Sequence, residues 1–118
     1  MPFMKTVKLR KASTATPVTA CPVEQAIHII GGKWKLLLLR SLLLNGPQRY
    51  NELLASVTGI SAKELTRNLG ELSASGLATA GSVQYALTQS GKGLMPTFQS
   101  LLTWGQELLK GATNIPVR

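Results

Sequence analysis

Apolar residues recur at helical spacing near the middle of the chain, over residues 49–77. The second half of this stretch has leucines at i, i+4 and i+7, which predicts one apolar stripe along a helix. These leucines are Leu65, Leu69 and Leu72. Ser61 precedes the stripe as a suitable N-cap and Glu64 lies three residues after it, so the helix should run from about Ser61 to Ser75.

A shorter amphipathic helix precedes this one, with apolar positions at Tyr50, Leu53, Leu54 and Val57. Thr58-Gly59-Ile60 supplies a turn between the two helices, because glycine readily takes the left-handed conformation that ends a helix. Two short helices joined by a tight turn are typical of the helix-turn-helix, whose second helix lies in a DNA major groove. An ordinary helical hairpin in a bundle has the same pattern, so the flanking segments have to decide between the two.

The segments before residue 49 predict two further helices. Pro22 follows Cys21 as a first helical residue follows an N-cap, and this helix should end at Gly31-Gly32. Residues 33–44, KWKLLLLRSLLL, place leucines on every side of a helical wheel, which predicts a buried helix. That run is too short and too charged to span a bilayer.

A hairpin and a last helix follow the central stretch. Residues 77–88 alternate around Gly81-Ser82 as a short β-hairpin does, and a hairpin directly behind a helix-turn-helix is a wing. Residues 92–110 predict a long amphipathic helix with more apolar surface than the core needs, so we expect this helix to pair with a second chain, helped by the helix at 22–30. The expected dimer contacts are Leu101, Leu102, Trp104 and Leu108. The predicted fold class is mainly α with a short β-hairpin wing, a dimeric winged helix-turn-helix.

Charge and length narrow the class of partner. The chain has 118 residues, a formal charge of +8 and a pI of about 10.2, which fit one domain with a polyanionic partner such as nucleic acid. Half of that charge lies in residues 1–20, which hold four cations and no acid. We predict a flexible basic arm at 1–20, a folded domain at 21–111 and a tail at 112–118. A transit peptide has a composition similar to that of the arm, but we favour a disordered arm that contacts DNA phosphates, and we find no secretory signal.

Cys21 is the only cysteine and His28 the only histidine, seven residues apart. This pair lacks the further ligands of a metal site and the third group of a nucleophile with its base. We therefore expect no enzymatic activity, metal or cofactor, and a cytoplasmic protein without a membrane segment. Amides at a helix N-terminus stabilise negative charge and so favour a reactive thiol at Cys21, although Glu24 in the same turn opposes this effect. An inert, buried cysteine is the alternative.

The order and the sequences of these segments resemble those of the HxlR-type winged helix-turn-helix regulators of bacteria, relatives of the MarR family. The matching sequence segments, within residues 21–109, are CPVEQAIHIIGGKWKLLLL, RYNELL, GISAKELTRNLGELSASGL, QYALTQSGKGLMP and LLTWG. The resemblance implies a small dimeric transcription factor. Several members sense electrophiles, disulfide stress or quinones through the cysteine at the position of Cys21.

Two features depart from the pattern of that family. Only residues 78–84 separate Gly76-Leu77 from Tyr85, and none of them is charged, whereas members usually have a longer, proline-containing wing and a basic residue near its start. Gly70 stands where many members carry arginine or a polar residue. Either DNA binding is weaker in this protein or the basic arm compensates for the short wing.

We expect a sequence-specific DNA-binding transcriptional regulator that binds a pseudo-palindromic operator as a homodimer. We also expect it to respond to electrophile or redox stress when a small electrophile or thiol reacts with Cys21. The candidates for groove contacts, on the face opposite the leucine stripe, are Lys63, Thr66 and Arg67, with Ser61 near phosphate. The candidates for contacts to the DNA backbone, at the start of the supporting helix, are Arg49, Tyr50 and Asn51. A winged helix retained for protein interaction is the alternative, and its binding would respond little to salt.

Overall fold

The computed structural model describes residues 21–111, and these form six helices and one two-stranded antiparallel sheet. In chain order the elements are α1 (Pro22–Ile30), α2 (Lys33–Asn45), α3 (Tyr50–Ser56), α4 (Ala62–Ala74), β1 (Ala78–Ala80), β2 (Tyr85–Leu87), α5 (Gln89–Lys92) and α6 (Met95–Gly111). The arm predicted at 1–20 and the tail predicted at 112–118 lie outside the described residues. The division of the chain into arm, domain and tail therefore stays a prediction.

The core lies where α2, α3 and α4 meet β1. Its buried apolar side chains are Leu38, Leu39, Leu42, Leu53, Val57, Ile60, Leu65, Leu69, Leu72, Leu77 and Ala78. Only one face of α2 enters this core, so the prediction that the helix is buried all round is wrong at its C-terminal end, where Leu44 is 67% exposed. Trp34 packs against the core but is only partly buried.

The helix-turn-helix forms as its sequence predicts. Gly59 has a φ of 89°, in the left-handed region, and the chain turns there from α3 into α4. The hydroxyl of Ser61 caps α4 by accepting a hydrogen bond from the amide of Glu64 at 3.1 Å. At the other end Gly76 has a φ of 82°, which lets the amide of Leu77 donate back to a carbonyl of the last turn. The predicted limits of this helix, Ser61 and Ser75, are confirmed as its two caps.

The wing is a short hairpin that is fastened to the helices. β1 and β2 pair with Thr79 opposite Ala86, and the link between α2 and α3 adds one more bridge. There the amide of Gln48 donates to the carbonyl of Tyr85 at 3.0 Å, and the amide of Tyr85 donates to the carbonyl of Gln48 at 2.7 Å. The buried Gln48 side chain also donates to the hydroxyl of Ser41 at 2.9 Å. Val83, which the alternation assigned to a strand, instead lies exposed in the turn at 81–84.

The predicted long helix at 92–110 is α6, which begins three residues later than predicted, and the short helix α5 precedes it. Thr88 caps the short α5 by accepting from the amide of Gly91 at 3.1 Å, and α6 begins three residues after α5 ends. A Cβ at Gly91 would clash with the carbonyl oxygen of Leu77, so glycine lets α5 pack directly on the chain that enters the wing. Pro96 lies in the first turn of α6, where the lack of an amide proton removes no helical hydrogen bond.

α6 contributes no buried residue, and Phe98 near its start packs against the core. The described residues thus confirm a mainly α domain with a two-stranded wing, a winged helix-turn-helix. The dimer stays a prediction that rests on the exposed faces of α1 and α6.

Candidate DNA-binding surface

α4 divides cleanly into a core face and a solvent face. Its buried side chains are Leu65, Asn68, Leu69 and Leu72. Lys63, Thr66 and Arg67 are all exposed, as the helical period predicted for the face opposite the leucines. The structure therefore places all three predicted groove residues on one accessible side of this helix. Gly70 is exposed on the same helix and a Cβ there would meet nothing, so this face has room for a closely approaching partner.

The start of α3 lies beside the solvent face of α4, and Tyr50 joins the two. The Tyr50 hydroxyl donates to the carbonyl of Ala62 at 3.0 Å and lies 2.9 Å from the hydroxyl of Thr66. Because a phenol has one proton, donation to Ala62 leaves its oxygen to accept from Thr66. Tyr50 is half-buried, so its clearest role in the structure is to fix α3 against α4 and to orient Thr66.

Arg49 and Asn51 are exposed on either side of Tyr50. The amide of Arg49 donates to a carboxylate oxygen of Glu52 at 2.8 Å, which stabilises the first turn of α3. The Arg49 side chain is thus presented from an ordered helix start. A cation and an amide in this place suit contacts with DNA phosphates beside the groove.

Arg67 is held between two carboxylates of its own helix. Its Nη2 donates to Glu64 Oε1 at 2.6 Å and its Nη1 donates to Glu71 Oε2 at 3.2 Å. Lys35 on α2 reaches the other oxygen of Glu71 at 2.9 Å. The hydrogen bond from Lys35 lowers the pKa of Glu71, and the hydrogen bond to Glu64 raises the pKa of Arg67, so these contacts favour the charged forms of Glu71 and Arg67. The sequence prediction missed these acids, although their i−3 and i+4 spacing from Arg67 was a usable signal.

Cys21 lies exposed at the N-cap of α1, as predicted, and His28 lies exposed in the last turn of the same helix. The helix also exposes Val23 and Ile27, at 64% and 58%. On α6 the exposed large apolar side chains are Leu101, Leu102, Trp104, Leu108 and Leu109. All four predicted dimer residues are therefore accessible for association, and the first helix adds two more apolar side chains.

Within residues 21–111, no group of three or more His, Cys, Asp or Glu side chains is arranged to hold a metal ion. None of the helices in that range is long and apolar enough to cross a membrane.

The Ser61 cap yields a prediction that separates stability from DNA contact. Ser61→Ala should lower the free energy of unfolding by about 1 kcal/mol, because the amide of Glu64 loses its acceptor. Ser61→Asp keeps an acceptor there and should keep the stability, but its negative charge should weaken DNA binding if Ser61 lies near a phosphate. Chemical denaturation and a DNA titration measure the two effects. An aspartate variant that binds DNA as the unmodified protein does would remove Ser61 from the interface.

The supporting helix α3, the exposed helix α4 and the wing behind it define a transcriptional regulator of the winged helix-turn-helix class. The model of the HxlR-like helix-turn-helix family matches residues 29–113. The chain belongs to this family, as the resemblance of its motifs predicted.

Known relatives cover most of the chain. The HTH-type transcriptional regulator YkvN of Bacillus subtilis is 40% identical over an alignment of 108 residues, and the match covers 81% of this chain and 91% of that protein. The quinone-bound structure of YodB from B. subtilis has a TM-score of 0.69 and 32% identity, and covers 74% of this chain and 99% of that one. The redox regulator HypR in its reduced form has a TM-score of 0.65 and 33% identity, and covers 75% of this chain and 93% of that one.

Proposed function

We propose that this regulator binds a pseudo-palindromic operator as a homodimer, with α4 of each subunit in a major groove. The observation that carries the proposal is the solvent face of α4, which presents Lys63, Thr66 and Arg67 while the opposite face is buried. A helix of this shape fits the major groove, where each base pair has its own pattern of donors and acceptors.

The residues of this surface take different roles in the proposed complex. Arg67 is the candidate for a base contact, because a guanidinium can donate two hydrogen bonds to the O6 and N7 atoms of guanine. Thr66, oriented by Tyr50, suits a shorter contact to a base edge or a thymine methyl group. Lys63 is a further candidate for a groove contact, Arg49 carries charge to a phosphate beside the groove, and Asn51 and Ser61 add uncharged contacts. Affinity then comes mainly from the phosphate contacts and sequence preference mainly from α4.

The dimer is proposed from α6 and α1. α6 has 17 residues and none of them is buried in one chain, while five of its large apolar side chains face solvent. A contiguous exposed apolar surface of this kind marks an interface. A two-fold pair of chains would present two copies of α4 to one face of the DNA, at half-sites roughly 10 base pairs or a multiple apart.

We further propose that Cys21 receives an electrophile or redox signal. Its place at the N-terminus of α1, exposed and close in sequence to the apolar side chains of Val23 and Ile27, puts a thiol beside the proposed dimer surface. Among the structural neighbours, HypR is named a redox regulator and YodB was solved with a quinone bound, which supports the same role here. A group added at Cys21 would press on α1 and change the relative placement of the two recognition helices.

Selection of genomic DNA fragments by the purified protein tests the proposal and yields the operator at the same time. Binding to the selected fragment should weaken steeply as salt rises, because each neutralised phosphate releases counterions. A protein-interaction module would select no common sequence. Recovery of fragments without a shared motif, or binding that salt leaves unchanged, would contradict the proposed function.

The Cys21 prediction uses diamide and a quinone as probes, with Cys21→Ser as the control. Since each chain has one cysteine, the products are a disulfide between two Cys21 residues, a mixed disulfide with a small thiol, or a quinone adduct. Treatment should change the operator affinity of the unmodified protein by a factor of about 5 to 150, the usual range for coupled sites, and leave the serine variant unchanged. Mass spectrometry identifies the product. A protein that forms the adduct and binds DNA as before has a structural Cys21.

A further inference from the structure

We infer that Glu64 and Glu71 determine the specificity of DNA binding, by holding Arg67 for a base edge and keeping it from serving as a general phosphate contact. This inference rests on the proposed position of α4 in the major groove. It assigns a role to two acids on a surface that otherwise attracts a polyanion.

The two carboxylates use only some of the hydrogen-bond donors of Arg67. Of the five N–H donors of a guanidinium, one on Nη2 is used by Glu64 and one on Nη1 is used by Glu71. Three donors remain on a side chain that is 54% exposed, which is enough for a two-pronged contact to guanine. The two carboxylates therefore restrict where the guanidinium points without removing its capacity to bind.

Each carboxylate contacts one side chain besides Arg67. Lys35, whose side chain is only 16% exposed, holds Oε1 of Glu71 from α2 while Oε2 accepts from Arg67. The side-chain amide of Asn68 donates to Oε1 of Glu64 at 3.5 Å, the same oxygen that accepts from Arg67. Arg67 is the most exposed side chain of this set of charges, at 54% against 44% for Glu71 and 38% for Glu64.

The charges of α4 cancel, since two cations share the helix with two acids. A phosphate that approaches Arg67 also meets the two carboxylates, which repel its full negative charge, whereas the acceptors of a guanine edge carry only partial negative charge and are repelled less. Phosphate contacts dominate binding to random DNA, and base contacts are added only on the operator. The two acids should therefore weaken binding to random DNA more than binding to the operator.

Glu71→Gln tests this inference, because it removes one charge and keeps the shape of the side chain. We expect its affinity for random DNA to rise several-fold and its salt dependence on random DNA to steepen by about 0.9, the slope contributed by one extra phosphate contact. Affinity for the operator should change by less than about twofold, so the ratio of specific to random binding falls. A purely structural role for Glu71 would lower thermal stability without altering the salt slope.

Glu52→Gln is the matched control. It removes the same charge from the neighbouring helix α3, and glutamine still offers an oxygen to the amide of Arg49. Its effect on random DNA should be smaller than that of Glu71→Gln, because Glu52 does not contact Arg67. Glu64→Gln should act in the same direction as Glu71→Gln. If the Glu71 variant unfolds because Lys35 loses its partner, the Glu64 variant alone tests the inference.

Three results would overturn the inference. In the first, the Glu71 and Glu64 variants match Glu52→Gln on random DNA. In the second, operator and random affinities rise by the same factor, which makes the acids general repellents. In the third, the unmodified protein prefers no sequence at all, and then the proposed function fails with it. The first two leave the proposed function standing.

Discussion

Leu101→Asp and Leu108→Asp are each expected to give monomers that bind the operator poorly. An aspartate in the apolar face of α6 would be buried without a partner when two chains associate, which disfavours the dimer strongly. One chain alone engages one half-site, and the loss of linked binding lowers affinity by a factor of about 100 to 10,000. Light scattering after gel filtration measures the mass of the protein, and fluorescence anisotropy with the labelled operator measures its binding.

Leu44→Asp is the matched control for these variants. Leu44 is more exposed than the leucines of α6, at 67% against 48% for Leu101 and 37% for Leu108, and it lies at the end of α2. This variant makes the same chemical change outside the proposed interface, so it should remain dimeric and bind DNA normally. An unmodified protein that is monomeric at micromolar concentration would contradict the proposed dimer.

Arg67→Ala is expected to cost about 1 to 3 kcal/mol of binding free energy on the operator and less on random DNA. The reason is that a base contact is made only on the correct sequence, whereas the carboxylates of Glu64 and Glu71 already limit the attraction of Arg67 to phosphates. The preference of the protein for one base at one position of each half-site should also weaken. Titration of operators carrying each of the four bases at that position measures the effect.

Arg67→Lys separates charge from shape at the same position. Lysine keeps the positive charge but lacks the planar fork that donates two parallel hydrogen bonds, so it should restore little of the lost preference. If the alanine variant loses the same free energy on operator and random DNA, Arg67 is a phosphate contact. If it loses none on either, α4 is not the reading helix.

The sequence was most informative where local chemistry decides the structure. The N-cap at Ser61, the left-handed turn at Gly59 and the leucine period of α4 each depend on residues within a few positions of one another. Such features follow from helix geometry and backbone sterics alone. The limits of the recognition helix were therefore predictable to the residue.

Features that depend on contacts between distant segments were not predictable in the same way. The bridge from Gln48 to Tyr85 joins residues far apart in the chain, and no sequence pattern near Gln48 predicts it. The close packing of α5 depends on Gly91 lying against the carbonyl of Leu77, a contact that only the folded wing creates. Likewise, Lys35 meets Glu71 only because α2 packs beside α4.

The same distinction between local features and contacts of distant segments applies to the candidate DNA-binding surface. The exposure of Lys63, Thr66 and Arg67 followed from the period of one helix. The hydroxyl contact between Tyr50 and Thr66 needed the folded pair of helices, and it gives Tyr50 a role in positioning α4 besides its predicted phosphate contact. The acids around Arg67 lay within reach of sequence reasoning, because i,i+3 and i,i+4 pairs face one another on any helix.

Methylation protection of the selected operator tests the central proposal, that α4 reads bases from the major groove, most directly. Dimethyl sulfate methylates the N7 atom of guanine, which is exposed in that groove and is an acceptor for the proposed Arg67 contact. The bound protein should protect guanines in two clusters whose centres lie roughly 10 base pairs or a multiple apart. Protein-bound operator whose guanines all react as they do in free DNA would contradict the proposed placement of α4.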